Sequence, residues 1–304
     1  MLALMCLAVA SNATASSALV GANAPDVAPP TDDATRMDHL ADGRLVVYLN
    51  RDGGTYYANA YLNDSRTNTS SVPKQNSIIP AWRTDDDTWS KLQSCVSHRF
   101  APFAVEVTDV DPGERTPHIE AVIGGRPQDL GLPAGHGGVA PFAWDCSVIS
   151  NAIVFSFAEV YTHEGDAQFL VGQAASVDLD SLCDTTAQEI AHALGVDHSF
   201  NAPDIMSYLS YSEERAFIDE EVQCGEYAGR TCGIGGNVCS ETQNTFKLIA
   251  DRIGLATDRT GDSISLSPDD EAAGCNAGGA HGAASLISLL LAMVLISARR
   301  TYMS

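Results

Sequence analysis

Basic side chains are scarce in this chain. Lys and Arg number 17 against 39 Asp and Glu, a formal net charge of −22 over 304 residues. A surface of that sign repels polyphosphates, which excludes nucleic acid and an anionic bilayer surface as partners held by charge. It suits a soluble exported protein, because net negative charge opposes association. By itself it names no partner. Several chemistry-bearing patterns are also missing: there is no CxxC pair, no phosphate-cradling P-loop, no dinucleotide fingerprint and no GxSxG elbow. The acidic stretches "DVDPGE" (109–114) and "DRTGDS" (258–263) lack the spacing of an EF-hand loop and read as turns. No internal repeat is visible.

What is present begins with two apolar ends. Residues 1–18, "MLALMCLAVASNATASSA", have the apolar centre and small-residue end of an export signal, without a basic segment ahead of it. Small-residue cleavage points fall near Ala15 to Ala18; a buried N-terminal helix is the competing reading. At the other end, Gly274 and Cys275 precede a Gly/Ala spacer, an apolar run over 283–298, then Arg299 and Arg300. That run is a little short of the ~30 Å hydrocarbon core, since sixteen helical residues reach ~24 Å. The basic pair would hold its end in the cytoplasm. Cysteine, short apolar helix and terminal arginines together resemble the myxobacterial C-terminal sorting tag (MYXO-CTERM). That likeness implies a processed segment that enters or crosses the membrane before processing, and a protein at the cell surface or released from it. A plain single-span anchor competes with it.

The organisation that follows is an export segment (1–18), a Pro/Ala/Asp-rich leader (19–40), a globular part (41–255), a Gly/Ser/Asp-rich linker (256–282) and an apolar anchor or sorting segment (283–304). Outside the two end segments six cysteines remain: Cys95, Cys146, Cys183, Cys224, Cys232 and Cys239. An even number in an exported domain reads as disulfides, in any of fifteen pairings. A cysteine zinc site in "CGEYAGRTCGIGGNVC" is the alternative.

Within the globular part, "RLVVYLN" (44–50), "FAVEVTDVD", "HIEAVIGG" and "NAIVFSFAEVY" (151–161) read as strands; "QFLVGQA" fits strand or helix. "DDDTWSKLQSCVSHRFAPF" opens with carboxylates suited to a helix N-terminus and spaces Trp89, Leu92, Val96 and Phe100 at helical intervals. A second helix carries Gln188 and His192 and ends at Gly195, and "ETQNTFKLIADRIG" (241–254) closes with an amphipathic one. The expected fold is α+β: a mixed, twisted sheet with two long helices, then an irregular, disulfide-stapled C-terminal subdomain, the two lobes meeting near 188–208. "HGG" around His136 reads as loop. His98 and His118 read as surface or packing residues.

The segment "CDTTAQEIAHALGVDHSFNAPDIMSY" (183–208) carries the chemistry. On a helix Gln188 and His192 share a face, with Glu189 beside them, while Ala187, Ile190, Ala191 and Leu194 gather opposite. Gly195 then turns the chain so that His198 can return towards His192. A catalytic zinc asks for about three protein ligands, an open position and a neighbouring carboxylate that accepts a proton. The frame Gln188-Glu189-x-x-His192-x-x-Gly195-x-x-His198, followed by "DIMSY" (204–208), resembles the HExxHxxGxxH motif and Met-turn of the metzincin metalloproteases. The resemblance implies one catalytic zinc held by His192 and His198, Glu189 as general base, Met206 under the metal, Tyr208 stabilising the oxyanion as in astacin-like members, and a protein or peptide substrate.

Gln188 departs from that motif, which has histidine there. An amide oxygen is a poorer zinc donor than imidazole nitrogen. It can ligate weakly or through water; another histidine, such as His163 in "YTHEGD", can take its place; or the site is a two-histidine relic in a surface protein that binds without cutting. A bland reading also stands: "TTAQ" and "TAQE" match a capping box, so Gln188 and Glu189 would then only close a helix start.

Overall fold

The computed structural model describes residues 16–21, 43–163, 176–234 and 236–256, with backbone alone at 16–21, 163 and 176. The export segment up to residue 15, most of the leader, "QFLVGQA", "DRTGDS", the linker beyond residue 256 and the C-terminal segment lie outside the described residues. No described helix is long and apolar enough to cross a membrane.

Strands come first. They are β1 (Ser16–Gly21), β2 (Leu45–Asn50), β3 (Gly54–Ala58), β4 (Thr69–Ser70) and β5 (Ser77–Ile79). Helix α1 (Asp86–Arg99) follows, capped by the Asp85 side chain, which accepts from the Thr88 N–H. Trp89, Leu92, Val96 and Phe100 are all buried, so the spacing seen in the sequence marks the core-facing stripe. Strands β6 (Val105–Thr108), β7 (Ile119–Ile123), β8 (His136–Phe142) and β9 (Ile153–Ser156) come next, then the short pair β10 (Thr162–His163) and β11 (Ser176–Val177). Helices α2 (Leu179–Ala193) and α3 (Thr245–Ile253) complete the described elements.

The main sheet has the order β1-β8-β9-β7-β2-β6. Pairs β9–β7, β7–β2 and β2–β6 are parallel, and β8 runs antiparallel to β9. β1 is parallel to β8, so the two reversed strands share one edge. The fold is therefore α+β with a mixed sheet, as the sequence suggests, and the described residues hold three α-helices, α3 falling within the expected 241–254. His136 opens strand β8 and is not a loop residue: "HGG" reads as a turn only until the apolar "VAPF" after it is paired with β9.

Both faces of the sheet are covered. On one, Leu45, Val47, Leu49, Ile119, Ala121, Ile123 and Val154 pack against α1 and α2. On the other, Val122, Val139, Ile153 and Phe155 pack under Tyr56 and Ile79 of the β3–β5 layer. Because water reaches neither side, β7 is buried at every position and, apart from Glu120, is apolar rather than alternating.

The cysteines pair as Cys95–Cys183, Cys146–Cys239 and Cys224–Cys232. The first ties α1 to α2; the third closes a small loop. With all six engaged, the cysteine zinc alternative falls away. Between α2 and α3 the described backbone forms isolated bridges but no helix or ladder. Ile205 and Phe217 of that stretch pack into the same core as α1 and α2.

Candidate metal centre

Helix α2 positions the candidate site. Its N-cap is Asp178, whose side chain accepts from the Ser181 N–H, and the helix runs on for fifteen residues. Gln188 and Glu189 thus lie deep in the helix interior, and the capping-box reading of "TTAQ" and "TAQE" is overturned. On the packed face Ala187, Ile190 and Ala191 are fully buried, and Gln188, Glu189 and His192 on the chemical face are buried too (5%, 0% and 0% exposed). Thr186 donates to the Leu182 carbonyl and to Ser156 Oγ at 3.0 Å, which seats the polar side of α2 against β9.

Gly195 ends the helix in the left-handed conformation (φ +79°). Its N–H donates to the His192 carbonyl (2.8 Å) and the Val196 N–H to the Ala191 carbonyl (3.0 Å), a paired closure that satisfies two terminal carbonyls. A Cβ here would lie 2.2 Å from the Cys146 carbonyl oxygen, so space as well as φ demands glycine. The reversal brings His198 back to His192: their Nε2 atoms stand 3.1 Å apart, with the rings edge to face at 4.7 Å.

Partners on the far side of each ring fix the tautomers. His192 Nδ1 lies 2.7 Å from the Val196 carbonyl oxygen, which can only accept, so Nδ1 carries the proton. His198 Nδ1 lies 2.8 Å from Glu226 Oε1 and donates to that carboxylate. Both Nε2 atoms are then lone-pair nitrogens pointing at each other, an arrangement that needs a cation or an extra proton between them. Complete burial, and then the neighbouring His198, pull the His192 pKa well below the ordinary range, which disfavours a proton there. The separation suits a metal, since two nitrogens bound to one tetrahedral zinc at about 2.0–2.1 Å stand ~3.3 Å apart. The two imidazole nitrogens thus stand at a separation that one shared tetrahedral ion would bridge.

Gln188 occupies the third position in the frame. Its Nε2 donates to the Ile205 carbonyl at 3.2 Å, bracing the helix against the 204–208 loop. That loop adjoins the pair: Met206 is fully buried, and its carbonyl accepts from the N–H of Ser199, the residue after His198. Tyr208 lies on the His198 ring, centroids 4.4 Å apart. Glu189 is three residues before His192, hence a helical neighbour. Its carboxylate presses on β8 at Gly138, where a Cβ would meet Glu189 Oε1 at 2.5 Å. Gly138 thus makes room for the carboxylate.

Among the described side chains, the other histidines make their contacts elsewhere. His98 is exposed beside Glu214, His118 is buried with Nδ1 on the Thr116 carbonyl, and His136 Nδ1 contacts the Pro133 carbonyl. The side chain of His163 lies outside the described residues.

Three residues invisible as a site in the sequence complete the surroundings. Arg230 donates to Asp197 (2.6 and 3.0 Å) and to Glu226 Oε1 (2.8 Å). Asp197 Oδ1 in turn accepts from the His198 N–H at 2.7 Å. The hydrogen bonds from His198 and Arg230 hold the Glu226 carboxyl far below the usual carboxylate range. Donor atoms of Asp197, His198 and Glu226 lie within 4.8 Å of one another, but both carboxylates already belong to Arg230, so the trio is a clamp and not a ligand set. The one local signal was "CGEYAGRTC", an acid and a base four apart between paired cysteines.

No known family model matches the chain, and no curated protein is significantly similar to it.

Proposed function

We propose that the chain is an exported, surface-associated zinc endopeptidase of metzincin type, with His192 and His198 as imidazole ligands. The observation that carries the reading is the 3.1 Å approach of two Nε2 atoms whose Nδ1 atoms are both committed elsewhere. Zinc, when bound, supplies the Lewis acidity that activates a water and polarises the scissile carbonyl. Glu189 takes the proton of the attacking water and returns it to the leaving amine, a role for a carboxylate one helical step from His192. Its buried seat against Gly138 fixes its rotamer. Tyr208, whose ring lies against His198, would donate its phenol O–H to the developing oxyanion. Gln188 holds the 204–208 loop and offers an amide oxygen where an imidazole would bind more tightly.

A second reading, a non-catalytic surface protein that keeps the cleft, draws on the same Gln188 bond, which ties the amide to the backbone. Cleavage of casein or a quenched peptide by wild type and Glu189→Gln separates the two. The enzyme reading expects a loss of about 10²–10⁴-fold in rate with zinc content unchanged. Equal cleavage by both proteins, or none by either, overturns it.

A further inference from the structure

We infer that Glu226, clamped by Arg230 inside the Cys224–Cys232 loop, is a positioning residue that fixes the tautomer of His198 and strengthens its Nε2 as a donor. The inference rests on the reading of His198 as a metal ligand, but its first test does not. His198 can turn about its side-chain bonds or carry its proton on either nitrogen; only one of those states points a lone pair at His192 Nε2. Glu226 Oε1, 2.8 Å from Nδ1, selects that state. A carboxylate behind a ligating imidazole raises its basicity and holds its plane.

Glu226 is itself held. Arg230 Nη2 donates to the same oxygen at 2.8 Å, while Arg230 Nη1 and Nη2 reach Asp197 at 2.6 and 3.0 Å. Asp197 Oδ2 accepts from the Gly233 N–H at 2.8 Å, and Arg230 Nη1 donates to the carbonyls of Thr231 and Gly233, closing the ring of contacts. The loop is also tied to the ligand strand by its backbone. Gly225 N–H donates to the His198 carbonyl at 3.0 Å, and Ser199 bridges Cys224. Two carboxylates against one guanidinium leave an excess negative charge behind His198, the sign that favours a cation in front of it.

The test uses the full chain with ¹⁵N-labelled histidine. In the metal-free protein, the His198 ring should show its Nδ1 protonated in wild type. Glu226→Ala should give a mixture of tautomers, and Glu226→Gln, which keeps the acceptor but not the charge, should retain the wild-type tautomer. Zinc affinity by chelator competition is then expected to fall by about 10–100-fold in Glu226→Ala and by less in Glu226→Gln. The d–d bands of the Co²⁺-loaded protein should also shift in Glu226→Gln, which a merely structural role would not produce. An unchanged tautomer in Glu226→Ala together with unchanged affinity overturns the inference. Wild type that binds no zinc yet loses its tautomer in Glu226→Ala supports the positioning role and sinks the metal reading instead.

Discussion

At the scale of single residues, the account turns on what surrounds the two imidazoles. Replacing Gln188 by histidine restores a third nitrogen donor in place of an amide oxygen. Zinc affinity, read by competition with a chromogenic chelator, should rise by roughly tenfold or more; no rise would mean that position 188 is not a ligand position. Gly138 gives a complementary prediction. Gly138→Ala puts a methyl 2.5 Å from Glu189 Oε1 and 2.8 Å from Thr185 Cγ2, so Glu189 must move. Peptide cleavage should then fall by an order of magnitude or more while zinc content holds, because positioning errors of about 1 Å cost up to ~10²-fold in rate. Cleavage at the wild-type rate would contradict the placement of Glu189. Much of this was legible in the sequence. The helical spacing of Gln188, Glu189 and His192 and the turn at Gly195 place themselves by periodicity and by the conformational freedom of glycine. Glu226 did not, because its contact with His198 spans 28 residues of irregular chain and no local rule reports it.

At the scale of elements, two features have measurable consequences. The α2 terminus depends on Gly195, where both φ and the Cys146 carbonyl exclude a side chain. Gly195→Ala should destabilise the fold by more than about 1 kcal/mol, the cost of forcing φ above zero with a Cβ present, before the clash is added. The second is Glu120 of β7, buried at 3% exposure, whose Oε1 accepts from Asn50 Nδ2 (2.7 Å) and Tyr56 O–H (2.9 Å). Burial pushes its pKa up from the ordinary 4.5 to about 6, so the folded state binds this proton more tightly than the unfolded chain. The resulting stabilisation is complete below pH 4.5 and lost as pH rises through 6, a span worth about 2 kcal/mol. Glu120→Gln, which can still accept both hydrogen bonds, should raise urea stability at pH 7.5 by about that amount and leave it unchanged at pH 4. Equal gains at both pH values would contradict the burial argument. Strands β2, β6, β7 and β9 were visible as β-rich runs. β8 was not, because its opening glycines mimic a turn and only pairing with β9 shows otherwise. The bland capping-box reading at Thr185 and Thr186 fails because the helix starts earlier, at the Asp178 cap.

Across the whole molecule, the three disulfides differ in how much chain they close. Cys95–Cys183 and Cys146–Cys239 close spans of 88 and 93 residues. In the chain-entropy account each removes about 4–5 kcal/mol of unfolded-state freedom, against about 2.5 for an eight-residue span such as Cys224–Cys232. Cys95→Ser/Cys183→Ser should therefore lower urea stability more than Cys224→Ser/Cys232→Ser, whereas the small-loop variant should weaken zinc binding more, because that loop carries Glu226. The reverse order in both measurements would contradict this division of labour. Composition indicated that the cysteines pair but not how, since pairing is decided by where α1, α2 and the irregular chain meet in space. The α+β class was equally readable, from the sequence of strand-like and helical periods, while the reversed edge of the sheet was not.

The central claim is that His192 and His198 hold one metal ion between them. Zinc per chain, measured by atomic absorption on the full-length protein after dialysis against metal-free buffer, tests it most directly. The account predicts about one zinc per wild-type chain and none in His192→Asn/His198→Asn. A wild type without zinc, or a double variant that keeps as much as wild type, would contradict it.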